Sequence, residues 1–199
     1  MKHSLFAAAV LSLALVACVD KTGLSADTTR TQHPQTGGNA AVIVWEFADL
    51  QCPACRAAHA ALLKPLVEKY GTQIRYDYRH FPLRSIHRYA LEAAEGAECA
   101  ADQGKFWDFL DLNYTNQDKL NSDTIREWAE QLNLDMPLFE RCMKSHIKRD
   151  VILADYAEGQ KLGVAGTPTF LVNGVRVESD LTAISAAIDA AAAQLRQRL

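Results

Sequence analysis

Across its 199 residues this sequence carries almost no surplus of charge: 21 lysines and arginines against 24 acids leave a net charge of -3, and the basic residues are scattered. No basic face is available for a phosphate backbone, so a nucleic-acid partner is not expected. A second C-x-x-C and any H-x-x-x-H are missing, and with them the ligand spacing of a structural zinc site. Repeats and low-complexity tracts are absent. The N-terminal apolar run, residues 5–16, is shorter than the roughly 20 residues that a spanning helix needs. With 49% apolar residues, the chain can bury one core of ordinary domain size and is too short for two.

Lys2 and His3 ahead of that apolar run match the layout of a secretory signal peptide. Its end, Leu15-Val16-Ala17-Cys18, resembles the bacterial lipobox. Residues 1–17 therefore read as a lipoprotein signal peptide and Cys18 as the lipidated residue, with acyl chains fixing the protein to a membrane. The alternative is a plain secretory signal ending near a chance cysteine. Residues 18–39, rich in Thr, Ser, Gly and Asp without helical or strand period, read as a lipid-anchored flexible linker. Residues 40–199 are the domain. The expected location is outside the cytoplasm, membrane-anchored, facing the periplasm or the cell exterior.

Setting Cys18 aside leaves Cys52, Cys55, Cys99 and Cys142, an even number in a compartment where disulfides persist. Cys52 and Cys55 are too close in sequence to staple distant parts of a fold, which points to chemistry. Cys99 and Cys142 could close a long loop as a structural disulfide, stabilising by roughly 3 to 4 kcal/mol on the chain-entropy model. They could equally be two small buried residues that never meet.

Residues 40–47 form a β-branched apolar run, as a strand buried on both faces requires, with Glu46 its one charge. A loop at 48–51 leads to a helix over 53–70, with Pro53 at its first position and Pro65 expected to kink it. Residues 73–79 alternate as a second strand that Pro82 ends. From 85 to 162 the period is helical, with Ser122 expected to cap one helix, Asp135 the next, and Gly163 to stop the last. Then come a strand at 169–172, a turn at Asn173-Gly174, a strand at 175–178, and an amphipathic helix striped by Leu181, Ile184, Ile188, Leu195 and Leu199. This order describes an α/β fold with an inserted helical subdomain, about 84–163.

A cysteine at a helix N-terminus faces unpaired N–H groups and the positive end of the dipole, both of which favour the thiolate. Cys52 is thus the expected nucleophile and Cys55 the resolving thiol that attacks a mixed disulfide at Cys52. Arg56 adds a positive charge nearby. Glu46, six residues before Cys52 on an apolar strand, is either a buried proton acceptor for Cys55 or a strand-end acid turned to solvent. Asp49 is the weaker candidate, a loop or cap residue. His59, His80 and His87 are loose metal candidates, more simply read as surface histidines; no metal and no cofactor is expected.

Cys52-Pro53-Ala54-Cys55 after a buried strand, Tyr78-Arg79-His80-Phe81-Pro82-Leu83, Gln103-Gly104-Lys105-Phe106-Trp107 and Gly166-Thr167-Pro168-Thr169-Phe170 together resemble the DsbA-like thioredoxin-fold oxidoreductases. The likeness runs from Ala41 to the C-terminus. It implies a thioredoxin fold with a helical insertion, a cis Pro168 facing the Cys52 sulfur, and a Thr167 that offers backbone bonds to an extended peptide. Glu46 matches the family's buried acid by its distance from the cysteines. Ala54 stands where strongly oxidising members carry histidine, which removes one source of thiolate stabilisation.

The function expected is exchange of disulfides with exported proteins, most simply their donation, by a monomer reoxidised by a membrane redox partner. The 20 or so linker residues cannot form the dimerisation domain of the isomerases. A disulfide reductase is the near alternative. A copper-carrying metallochaperone using the same two thiols is the rival from another class, and a binding module with a merely structural Cys52–Cys55 bond the third.

Overall fold

Val42, Val44 and Phe47 put apolar bulk on both faces of one strand, leaving neither face for solvent. In the computed structural model, which describes His33 and residues 37–197, they belong to β1 (Val42–Ala48) inside a four-stranded sheet of order β2-β1-β3-β4. β2 (Ile74–His80) runs parallel to β1, whereas β3 (Thr169–Val172) pairs antiparallel with it and β4 (Val175–Val177) antiparallel with β3. Asn173 and Gly174 both hold positive φ, 47° and 82°, as a two-residue hairpin turn of the primed kind demands.

The β1–β2 crossover holds α1 (Pro53–Ala58), a π-helical segment (His59–Leu63) and α2 (Lys64–Tyr70). The kink expected at Pro65 is taken up by this π segment. Proline lacks an N–H and its ring crowds the carbonyl four residues back, and a wider turn just ahead relieves both. Between β2 and β3 lie α3 (Ala90–Ala101), α4 (Phe106–Thr115), α5 (Ser122–Gln131), α6 (Met136–Ser145) and α7 (Arg149–Lys161), and α8 (Leu181–Arg196) closes the chain. Asn121, not Ser122, caps α5: its side chain accepts from the Asp123 and Thr124 amides, and the Thr124 hydroxyl accepts from the Asn121 amide. Both are good N-cap residues, and the reciprocal bond with Thr124 selects the first. Asp135 caps α6 through the Leu138 amide.

Val42, Val44, Ile74 and Tyr76 pack against Leu66 of α2 and Ile184 and Ile188 of α8. On the opposite face Phe47, Phe81 and Leu171 form a smaller core, closed by α7 at Gly159, where an added Cβ would lie 2.7 Å from the Phe81 ring. The largest core belongs to the insertion, around Phe109, Leu110, Ile125, Trp128 and Phe139, and it takes in both Cys52 and Cys55. The cysteine pair thus sits at the seam between sheet and insertion. Within the insertion Cys99 on α3 is bonded to Cys142 on α6, at S–S 1.96 Å across a sequence separation of 43.

Cys18 and Leu199 lie outside the described residues, as does most of the segment read as linker. His33 corrects that reading at one point. Its ring stacks on Phe106 at 3.8 Å and its Nε2 reaches the buried Glu98 carboxylate at 2.9 Å, so a residue expected in a solvated linker packs against the insertion.

Candidate active site

Cys52 is the N-cap of α1, with extended backbone at φ -78° and ψ 122°, and Pro53 follows where no N–H is needed. Its thiol donates to the Thr167 carbonyl at 3.4 Å, and the Thr167–Pro168 peptide bond is cis. Cys52 is pulled down to about 5 from an ordinary 9.0, first by a hydrogen bond from Cys55, with the Ala54 and Cys55 backbone N–H groups adding to it and burial opposing. Cys55 is driven far above the ordinary thiol range, first by burial, then by the Cys52 sulfur and the charge of Glu46. Neither cysteine is in a disulfide; the neutral Cys52 thiol gives the bond to Thr167, and on ionisation the charge rests on this outer sulfur while the inner Cys55 keeps its proton.

Arg56 takes no part in this: its guanidinium pairs with Asp118 at 3.0 Å. Ala54 contributes through its backbone alone. Backbone donors and the partner thiol therefore stabilise the thiolate where a histidine is lacking.

Glu46 is fully buried and accepts from the Tyr76 hydroxyl at 2.6 Å, which sets aside the solvent-facing alternative. Burial pushes its carboxyl up to about 7 against the opposing Tyr76 bond. Asp49 is also buried, as a loop hub. Its carboxylate accepts from the Gln51 amide at 2.7 Å, the Leu83 amide at 2.8 Å and His87 Nδ1 at 2.8 Å, and its own amide donates to the Cys55 sulfur at 3.4 Å.

The three histidines raised as metal candidates each face a separate carboxylate: His59 the Asp111 side chain at 2.6 Å, His80 that of Glu98 at 2.8 Å, and His87 that of Asp49. Among the described residues no group of three or more His, Cys, Asp or Glu side chains converges. Two residues of the site carry no signal in the sequence. Gln117 donates to the Leu50 and Cys52 carbonyls, both at 3.0 Å, and Asn113 donates to the Leu50 carbonyl at 2.7 Å. The insertion thereby holds the loop that carries the first cysteine.

A family model described as Thioredoxin matches residues 28–190. Over 173 residues the chain is 40% identical to a protein named Na(+)/H(+) antiporter NhaA 3 from Salinispora tropica, which covers 83% of this chain and 26% of that protein. The chain thus spans about a quarter of the length of the curated relatives it matches. Among solved structures, a thioredoxin-like oxidoreductase from Silicibacter pomeroyi superposes with a TM-score of 0.72 at 29% identity, covering 80% of this chain and 91% of that one. The α-DsbA1 of Wolbachia pipientis superposes with a TM-score of 0.71 at 23% identity, covering 86% and 100%. No helix among the described residues is long and apolar enough to cross a membrane.

Proposed function

The chain belongs to the thioredoxin family, with a DsbA-like helical insertion, and we propose that it is a thiol–disulfide oxidoreductase that donates disulfides to exported proteins from a lipid anchor at Cys18. The observation that carries this reading is the split between the two thiols: Cys52 held down to about 5 at the N-cap of α1, Cys55 buried beneath it and held protonated. A thiolate this stable is a good leaving group, and a dithiol form that it stabilises makes the disulfide a stronger oxidant.

In the donating direction a client thiolate attacks Cys52 Sγ and the Cys52–Cys55 bond breaks. The electron pair leaves on Cys55, which takes a proton from Glu46. A second client thiolate then attacks the client sulfur of the mixed disulfide, and Cys52 leaves as the thiolate. Reoxidation by a membrane partner runs the reverse way, with Cys55 returning its proton to Glu46 as it attacks the mixed disulfide at Cys52. Thr167 and Pro168 form the wall beside Cys52 where an extended client backbone would lie. The signal-like residues 1–17 and the Cys99–Cys142 bond support an exported setting. The antiport stated in the relatives' names is not part of this reading.

Equilibrating the full chain with glutathione buffers and trapping the thiols gives the potential of the Cys52–Cys55 pair. A value above about -200 mV is expected of a donor; one near about -270 mV or lower would make the protein a reductant or leave the bond structural, and would overturn the donating direction.

A further inference from the structure

We propose that Tyr76 is a positioning residue for the thiol chemistry: its hydroxyl, fixed on one oxygen of Glu46, leaves the other oxygen as the atom that receives the Cys55 proton. This rests on the oxidoreductase reading above. Glu46 and Tyr76 stand on adjacent parallel strands and on the same face of the sheet, since Val44 pairs with Tyr76 and Glu46 with Tyr78. Both side chains are fully buried, and the 2.6 Å bond runs from the Tyr76 hydroxyl to Glu46 Oε2. Burial first, and then the charge of Glu46, keeps the phenol protonated far above its ordinary range, so Tyr76 stays a donor at every working pH.

A fixed donor satisfies Oε2 whether Glu46 is a carboxylate or an acid whose Oε2 is the carbonyl oxygen. The proton of the acid then belongs on Oε1, and that atom is buried with no hydrogen-bond partner among the described residues. A buried acceptor left open is costly, and here it is the atom of Glu46 free to take a proton. The ionisable groups around Glu46 are Cys55 from α1, Tyr76 and Tyr78 from β2 and Tyr114 from α4. None of them is cationic, so a hydroxyl does the holding. The step balances within the site. The Cys55 S–H proton passes to Glu46 Oε1, the Cys55 sulfur attacks Cys52 Sγ of the mixed disulfide, the Cys52–Cys55 bond forms, and the bond to the partner sulfur breaks with its electron pair on that sulfur.

Ellman's reagent reads the two thiols in turn: the first thionitrobenzoate is released by Cys52 and the second by Cys55. The test uses the full chain, with Cys18→Ser in every variant to remove an unrelated thiol, in stopped flow across pH. In Tyr76→Phe the ring is kept and Glu46 loses the bond that favours its charged form. The pH midpoint of the second release should then rise by about one unit, a roughly tenfold slowing below the midpoint, while the first release keeps its profile. In a Glu46→Gln background the same change should shift nothing further. A second release with the wild-type midpoint, or an equal shift in the Glu46→Gln background, overturns the role of Tyr76. Absence of a second release from the wild-type chain is a different result, which removes the oxidoreductase reading itself. If Tyr76→Phe does not fold, the infrared carbonyl band of protonated Glu46, taken as wild type minus Glu46→Gln, decides. A hydrogen-bonded acid carbonyl supports the proposal and a free one overturns it.

Discussion

Gln117 donates its side-chain amide to the Cys52 carbonyl at 3.0 Å across 65 residues of sequence. The same nitrogen reaches the Leu50 carbonyl at 3.0 Å, so one side chain of the insertion ties two carbonyls of the loop that presents the first cysteine. Leu50 has Asn113 as a second donor, whereas Cys52 begins α1 and its carbonyl otherwise serves the Arg56 amide at 3.1 Å. Gln117→Leu keeps the volume and removes both bonds in a buried setting. We expect a loss of about 1 to 3 kcal/mol in urea unfolding, together with slower and more heterogeneous alkylation of Cys52. Unchanged stability would mean that the two carbonyls find other donors.

The low-lying Cys52 thiol makes reactivity pH-dependent in a defined direction. With Cys52 at about 5, its alkylation by iodoacetamide should rise through that pH and be nearly flat by pH 7, with Cys55 unmodified until the protein unfolds. An acid depressed in the folded state stabilises it most above its unfolded pKa, roughly 8.5, and that stabilisation is lost as pH falls to the folded value. Only the reduced form carries this group. The reduced protein should therefore exceed the oxidised one in urea midpoint at pH 7 to 8, and the gap should close toward pH 5. A gap independent of pH over this range would contradict the assignment of the thiolate to Cys52.

The segments whose signals are local were legible in sequence. β1 and β2 follow from β-branched and aromatic runs, the Asn173–Gly174 hairpin from the two residues that accept positive φ, and the role of Cys52 from its place between a buried strand and Pro53. The bounds of β1 and β2 lie one or two residues from where composition places them, because strand ends depend on pairing partners rather than on composition. Non-local partners were not legible. Asp49 looked like an ordinary loop acid, and nothing near it announces that Leu83 and His87 will converge on it. Asn113 on α4 and Gln117 in the short helical turn that follows it sit in unremarkable surroundings, and only the docking of this part of the insertion against the active loop gives them their role. His33 hides in a polar stretch until Phe106 and Glu98 come together. The environment of Glu46 was open for the same reason: alternation puts it on one face of β1, but only the packing of the helices against the sheet closes that end of the strand to solvent.

Glu46 carries a cost that a simple substitution should expose. Its carboxyl is pushed up to about 7 by burial, so above that pH the folded protein holds a charge that the unfolded chain would hydrate freely. An acid raised in the folded state destabilises it progressively as pH climbs from the unfolded value, roughly 4.3, to the folded one, and fully above. Glu46→Gln should be more stable than the wild type at pH 8, on the order of 3 kcal/mol, and no more stable at pH 4. Urea midpoints at the two pH values test this. Equal midpoints at both would place the Glu46 carboxylate in a far better solvated site than its burial describes.

The Cys99–Cys142 bond joins α3 to α6 wholly within the insertion, with both sulfurs apart from the Cys52–Cys55 pair. A cross-link over 43 residues restrains the unfolded chain by about 4 kcal/mol on the chain-entropy model. Replacing both cysteines by alanine adds small voids in a packed core, since each is fully buried. The double variant should lose about 3 to 5 kcal/mol in urea unfolding, while the pH profile of Cys52 alkylation is kept. The profile is the informative half. Should it shift with the bond removed, the insertion would be transmitting strain to the loop through Gln117 and Asn113, and the structural and redox disulfides would be coupled rather than independent.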